Sequence, residues 1–499
     1  MYNIKFDFTR QLVLLFLGIF LSLGVSAQES LFEYIGPPDA VNLPEHAVAG
    51  QKVRVNRRAL QSPRISIELF GETHQAVRKH IDRQKAGQTV WTGHLEGNPG
   101  NTVILTVRGN TVSGFIQNGL ETYRIGASSA ADNRLFMLDL RALPREDVGG
   151  VPMGDGDAQA APNAEPAADN TVQDLLVVYN QAACNSAGSC SQLQADIVTA
   201  VADINSAYSE SGVNITMNLV GTTFTNYSGT GASATLSALA GTNDGQMDEI
   251  HQVRDDLGAD IVAMVYDGQG CGIGYSPSSA SSAFSVTDEP CLVGNRTMAH
   301  EIGHNQGALH DRKQHGGGTS GAYNYGYRRC SDGTDEDLGS PYFRTFMSYG
   351  CTGAPRVGRV SNPNVTYLGV AQGIDPAVNP SKGAWNARTL NESASYVAGF
   401  RTGTTPPTIP AAPSGLLASA NGPDSIDVSW VDNSNDEDNF VLHSSPDGSS
   451  WSNLATLGVN VTSHTDNGLS PESTRHYRVQ ASNSAGASAF SNTDSATTT

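Results

Sequence analysis

The stretch Ala299-His300-Glu301-Ile302-Gly303-His304-Asn305-Gln306-Gly307-Ala308-Leu309-His310-Asp311 fixes how the rest of the chain is read. On a helix, His300 and His304 stand four positions apart, so their imidazoles share one face and can grip one ion. Glu301 lies on the same turn and is placed to reach a water on that ion rather than the ion itself. Gly307 has no Cβ to oppose a positive φ, so the helix can stop and the chain can turn there. That turn returns His310 as a third nitrogen. Three neutral imidazoles with one position left open is the pattern of a catalytic zinc site, not of a closed structural one. Any one of these histidines alone reads as an ordinary core or surface imidazole. At this chain's own His and Glu frequencies, the His-Glu-x-x-His core arises by chance in about one such chain in a hundred. The added glycine and third histidine lower this to roughly a few in a hundred thousand.

Downstream, Thr345-Phe346-Met347-Ser348-Tyr349 places a methionine 37 positions after His310. In isolation Met347 reads as plain core; after the histidine motif it reads as an apolar floor beneath the three rings. Six cysteines, Cys184, Cys190, Cys271, Cys291, Cys330 and Cys351, all fall in the same central region. An even count suits disulfides in an exported chain. Six allow fifteen connectivities, and pairing of sequence neighbours (184–190, 271–291, 330–351) is the preferred one.

Working toward the amino terminus, Lys5 and Arg10 precede an apolar run from Leu12 to Leu23, with Val25-Ser26-Ala27 before Gln28. This order predicts a secretory signal peptide over 1–27, the apolar run being short for a membrane span. No later segment is apolar enough to span, so no membrane span is expected. With 30 Lys+Arg against 49 Asp+Glu, the net charge of −19 repels phosphate backbones, and nucleic acid is not an expected partner.

The chain divides into stretches of different pattern. Residues 28–170 hold alternating runs such as Thr102–Val107 and Thr111–Ile116, with turn residues Gly109-Asn110 and Asn118-Gly119, and end in a Gly-, Ala-, Pro- and Asp-rich linker from 147. Residues 171–402 alternate strand and helix patterns: Leu175–Tyr179, Ser191–Ser209 (Ile197, Val201, Ile204 and Tyr208 at helical spacing), Ile215–Val220, Gln246–Leu257, Asp260–Tyr266 and Asn386–Phe400. A Pro-rich hinge spans 403–413, and 414–499 reads as short strands of a β-sandwich with two arginines and no lysine or cysteine. The expected fold class is therefore multidomain: an α/β (α+β) domain with a mixed sheet and active-site helix, preceded by a mostly β module and followed by a sandwich.

The extended histidine motif together with the Met347 turn resembles the metzincin zinc endopeptidases. Asp311 after the third histidine points to the reprolysin (adamalysin) branch. Ser361–Gly369 and Asn386–Asn391 resemble bacterial reprolysin-like enzymes of the peptidyl-Asp metalloendopeptidase type. The likeness spans roughly 171–402. Trp430, Tyr477, Asn483–Gly486 and Ser488 resemble a fibronectin type III domain, with a generic immunoglobulin-like sandwich as the other reading.

The resemblance implies one catalytic Zn2+ held by His300, His304 and His310, with Glu301 as general base and Asp311 as a structural tie. Tyr349, two after the methionine, stands where astacins and serralysins carry a tyrosine, making it a candidate fifth ligand. Protein or peptide substrates would add as a strand to an exposed sheet edge, for which Gly272–Tyr275 and Ala283–Val286 are candidates. Arg356 and Arg359 are either solvated cations or guanidinium groups in the pocket beyond the scissile bond, where they would favour an acidic side chain. Residues 28–170 read as a propeptide, but without a cysteine there a thiol switch is impossible. Asp155 and Asp157 are either a flexible acidic stretch or a loose likeness to the astacin aspartate switch. Asp332–Asp337 lacks EF-hand spacing, which leaves calcium unsupported.

The expected product is a secreted, monomeric, zinc-dependent endopeptidase made as a zymogen, its sandwich serving as a spacer or as an anchor to a surface or polymer. The alternative is a secreted adhesion or binding protein with a non-catalytic zinc domain, against which the intact Glu301 speaks. A third reading applies the same zinc chemistry to a non-peptide amide or ester.

Overall fold

Alternation of apolar and polar residues between 32 and 138 builds one antiparallel sheet of nine strands in the computed structural model. Described are residues 30–36, 43–83, 88–129, 132–144, 151–152, 170–276, 279–331, 339–401, 409–434, 437–483 and 485–499. The leader 1–27, Asp155 and Asp157, the Asp332–Asp337 cluster and most of the Pro-rich hinge lie outside the described residues.

In chain order the first strands are β1 (Phe32–Tyr34), β2 (Ala47–Val55), β3 (Arg64–Leu69), β4 (Glu72–Arg83) and β5 (Thr89–Leu95). They are followed by β6 (Asn98–Arg108), β7 (Thr111–Asn118), β8 (Glu121–Ser129) and β9 (Asp132–Leu138). The sheet order is β1-β2-β9-β8-β7-β6-β5-β4-β3. Gly109-Asn110 forms the tight loop of the β6–β7 hairpin, where Arg108 pairs with Thr111. One face of this sheet closes over a core that includes Trp91, Leu105 and Ile116. The alternate residues Val90, Ile104 and Phe115 belong to the core of the next domain instead. The module therefore shares an apolar core with its neighbour.

The linker is not wholly without structure. Val151–Pro152 forms a short strand, β10, alongside an edge strand of the next sheet. An open edge presents unpaired backbone groups that a passing extended segment can satisfy.

The second domain contains β11 (Thr171–Asn180), α1 (Gln181–Ser186), α2 (Cys190–Ser209), β12 (Ile215–Thr225), α3 (Ala232–Ala240) and α4 (Asp248–Leu257). It continues with β13 (Ile261–Tyr266), β14 (Gly272–Ser276), β15 (Phe284–Asp288), α5 (Glu289–Leu292), α6 (Thr297–Asn305) and the short β16 (Leu309–Asp311). The last helix, α7, spans Asn386–Val397. The sheet runs β10-β14-β15-β13-β11-β12 and is parallel except where β14 lies antiparallel to β15. Ala283–Val286 is therefore no edge: its strand lies between β13 and β14, and of the two candidate strands it is β14 that borders the short β10.

The six cysteines form three disulfides, Cys184–Cys190, Cys271–Cys291 and Cys330–Cys351, each between sequence neighbours. The carboxy-terminal residues form a sandwich of two antiparallel sheets around Trp430, Phe440 and Tyr477. Among the described residues, no helix is long and apolar enough to cross a membrane.

Helix α2 joins the first two domains because it is buried on both sides. Ser189 caps it by accepting from Gln192 N at 3.1 Å. Its apolar stripe (Ile197, Val201, Ile204, Tyr208) enters the core of its own domain. Its polar stripe lies beneath the nine-stranded sheet: Gln192 Nε2 donates to Asp196 at 3.0 Å, and Thr199 Oγ1 is 2.8 Å from Thr106 Oγ1. Arg124 from β8 lies between Asp196 (2.8 Å) and Glu289. Burial pushes the Asp196 carboxyl above its usual range, and the Arg124 guanidinium opposes the shift. Removing one partner from a buried ionic group leaves uncompensated charge, which costs about 3–5 kcal/mol. Arg124→Met should therefore lower the unfolding free energy by about that amount in urea titration; a loss below about 1 kcal/mol, the size typical of an exposed ion pair, would show that this cluster does not hold the domains together.

Candidate metal centre

Helix α6 carries the first two histidines and is entered through Arg296, a non-glycine residue at φ 62°. Such a left-handed residue persists only when its surroundings over-determine it. Here Arg296 Nε pairs with Asp203 Oδ2 of α2 at 3.0 Å, and the guanidinium lies 5.1 Å from the Phe115 ring of β7. At its far end Asn305 Nδ2 donates to the carbonyls of Tyr275 (2.9 Å) and Phe284 (3.0 Å), tying α6 to the sheet edge. A Cβ at Gly272 would come within 2.9 Å of Glu301 Oε1, and one at Gly274 within 2.9 Å of the Glu301 carbonyl. Glu301 is therefore lodged against β14.

Gly307 has φ 94° and ends the helix, its N–H donating to the His304 carbonyl at 2.9 Å. The chain then enters β16, which pairs in parallel with Tyr325–Gly326 and delivers His310. His300 Nε2 lies 3.0 Å, and His304 Nε2 2.9 Å, from His310 Nε2. His300 Nδ1 is 2.8 Å from the Phe346 carbonyl, and His304 Nδ1 2.9 Å from the Ala308 carbonyl. A carbonyl only accepts, so both Nδ1 atoms donate and both Nε2 atoms carry lone pairs. Burial first, then the neighbouring His304, holds His300 and His310 well below the usual histidine range. Neutral imidazole lone pairs thus face a common point. A cation relieves their mutual repulsion, and the roughly 3.3 Å edge of a tetrahedron with Zn–N bonds of about 2.0–2.1 Å is within a few tenths of the observed spacing. The residues fit a zinc ion.

Met347 lies beneath this group. A Cβ placed on Gly303 would come 2.5 Å from the Met347 sulfur. Asp311 ties the third histidine to the same turn: its Oδ2 accepts from Tyr349 N at 3.0 Å and its Oδ1 lies 3.3 Å from Arg328 Nε. The Tyr349 ring is centred 4.3 Å from that of His310.

Neither Arg356 nor Arg359 is solvated; they are 2% and 7% exposed. Arg359 donates to Glu210 Oε2 at 2.7 Å and is committed there. Arg356 donates through Nη1 to the Asn295 carbonyl at 2.9 Å, just ahead of α6, and its charge bears on both His300 and His310. Sequence reading missed the roles of Arg296, just before the motif, and of Asn305, within it, neither of which carries a signal beyond its position. Gly272 and Gly274 did carry one, since glycine inside a strand marks close backbone approach.

Residues 169–375 match the reprolysin-like metallopeptidase family M12B, and residues 411–497 match the fibronectin type III domain. A peptidyl-Asp metalloendopeptidase of Stenotrophomonas maltophilia (strain R551-3) is 33% identical over 380 residues, covering 70% of this chain and 86% of that protein. One of Xanthomonas campestris pv. campestris is 31% identical over 404 residues, covering 75% and 90%.

The contact between Gly303 and Met347 is open to direct measurement. Gly303→Ala should destabilise the fold by about 1–3 kcal/mol through overpacking, and adding Met347→Ala should recover part of that loss. Additive losses in urea unfolding would show that the two residues are not in contact.

Proposed function

The chain belongs to the reprolysin-like M12B metallopeptidases and is a zinc metalloendopeptidase with a carboxy-terminal fibronectin type III domain, and from that premise we propose a secreted enzyme, made as a zymogen, that cuts polypeptides on the amino side of acidic residues. His300, His304 and His310 are the proposed zinc ligands, and Tyr349 is the candidate fifth. The observation that carries this is the pair of carbonyl-capped Nδ1 atoms, which turn the Nε2 lone pairs inward.

When bound, zinc supplies Lewis acidity that polarises a carbonyl and acidifies water. Glu301, buried beside the histidines, takes a proton from the attacking water on its carboxylate and returns it to the departing amine. The substrate strand pairs with the outer edge of β14, which β10 occupies at Tyr275–Ser276. Beyond the scissile bond an acidic side chain is favoured by the charge of Arg356, which bears on His300 and His310 although its guanidinium is buried against the Asn295 carbonyl; Arg359 is paired with Glu210. The relatives' name, which specifies a peptidyl-Asp bond, supports this polarity.

Export is supported by the leader pattern of residues 1–27 and by three disulfides, which form and persist in oxidising surroundings. Latency comes from β10. Val151–Pro152 lies along Tyr275–Ser276 of β14, on the edge a substrate needs. Cutting the linker between 145 and 170 frees that edge.

Glu301→Gln should retain one equivalent of zinc by metal analysis while kcat on casein-derived peptides falls about 10²–10⁴-fold. Chelation should abolish turnover of the parent enzyme and zinc should restore it. An unchanged rate in the variant, or activity indifferent to chelator, rejects the assignment.

A further inference from the structure

Residues 414–499 hold ten Asp or Glu and two Arg, yet three neighbouring strands of the sandwich contain no carboxylate. Ser452–Leu457, Asn439–Ser445 and Thr474–Asn483 lie side by side in that order, and both arginines, Arg475 and Arg478, are on the third. Successive side chains of a strand point to opposite faces. Phe440, Leu442, Tyr477 and Val479 fill the core, so Val441, His443, Arg478 and Gln480 face outward. His443 stands opposite Arg478 on one side and opposite Asn453 on the other.

Two rings stand on this outer face. The Arg478 guanidinium lies 4.3 Å from the centre of the Trp451 ring and 3.8 Å from that of Phe490. The Phe490 ring meets His443 edge-on, with centroids 5.1 Å apart. Phe490 is 36% exposed and Trp451 is half-buried. Among the described residues, neither Arg478 Nε nor His443 Nδ1 has a hydrogen-bond partner. Asp447, in the turn before Trp451, is engaged within that turn, where it accepts from Ser449 N at 2.8 Å and Ser450 N at 2.7 Å. The catalytic domain meets the sheet elsewhere: a Cβ on Gly458 would come 3.4 Å from the Phe224 ring. Gly458 and Trp451 flank the strand Ser452–Leu457 at opposite ends, so the rings lie at the end away from that contact.

Charge narrows what such a face can take. The net charge of −19 repels polyanions. A polycation finds no carboxylate on these strands, and a second copy would bring like charge to Arg478. An uncharged partner with apolar C–H faces and many hydroxyl groups meets neither obstacle. Its C–H groups pack on the electron-rich ring faces, and its hydroxyls pair with the guanidinium, the imidazole and the amides of Gln480 and Asn453. We propose that this face binds a neutral polysaccharide and anchors the enzyme to it. Trp451 and Phe490 stack on the sugar rings, and Arg478, held between them, donates to sugar hydroxyls. Nothing in this face depends on the metal centre.

The test is sedimentation of the full secreted chain with microcrystalline cellulose or chitin, and with pectate beads as the anionic comparison. At least one neutral polymer should deplete the chain from solution, and pectate should leave it there. Trp451→Ala and Phe490→Ala should each raise the dissociation constant about tenfold, the scale of one lost stacked ring, while soluble casein is cut at the parent rate. Should a variant misfold, the parent chain supplies a second measurement. Cellohexaose or chitohexaose should release it from the polymer and shield Trp451 from oxidation by N-bromosuccinimide, read by peptide mass. Absence of binding to both neutral polymers, tighter binding to pectate, an unshielded Trp451, or an affinity unchanged in both variants overturns the proposal.

Discussion

Two backbone carbonyls determine what the three imidazoles are able to hold. Phe346 and Ala308 each take an Nδ1 proton, from His300 and His304. With that tautomer fixed, the opposite nitrogens have only lone pairs to offer, and burial keeps His300 and His310 from acquiring protons. Much of the surrounding architecture keeps those carbonyls in place. Phe346 belongs to the turn whose methionine packs against Gly303, and Ala308 follows the glycine that ends α6. Asp311 links the two by accepting from the Tyr349 main chain.

A second constraint is that α6 cannot stand alone. Its entry residue is in a conformation unfavourable for arginine, and that residue is held by Asp203 of α2 and by Phe115 of the nine-stranded sheet. Helix α2 therefore carries information in both directions: its apolar stripe organises its own domain, and its polar stripe receives Arg124, Thr106 and Ser113 from the module. The metal centre lies at the end of a chain of contacts that begins outside the catalytic domain.

The histidine motif was legible because its chemistry is local: thirteen consecutive residues contain the helix, its stop and the returning third histidine. The strands and helices of 171–402 were legible from their periods, with boundaries drifting where capping or bulges intervene; β12 runs on to Thr225 rather than stopping near Val220. What pattern could not reveal was pairing over distance. Gln192, Gln194, Asp196 and Thr199 look like the solvated side of an amphipathic helix, yet they are buried because a sheet from another part of the chain covers them. Arg356 and Arg359 looked alike in sequence, and spacing showed neither buried partner: the Asn295 carbonyl for Arg356 and Glu210, 149 positions away, for Arg359. The placement of Phe284 inside the sheet rather than at its edge follows from strand order, which spacing does not encode.

The cysteine pairs have a consequence for the assembled molecule. Each bridge spans at most 21 positions, and all three lie between Cys184 and Cys351. They brace loops within one domain and stitch nothing to the sheet before it. Were the intervening peptide cut, the two pieces would be held by packing and buried polar contacts, Arg124 with Asp196 and Glu289 among them. Such a pair would obey mass action, and its integrity would become a matter of concentration.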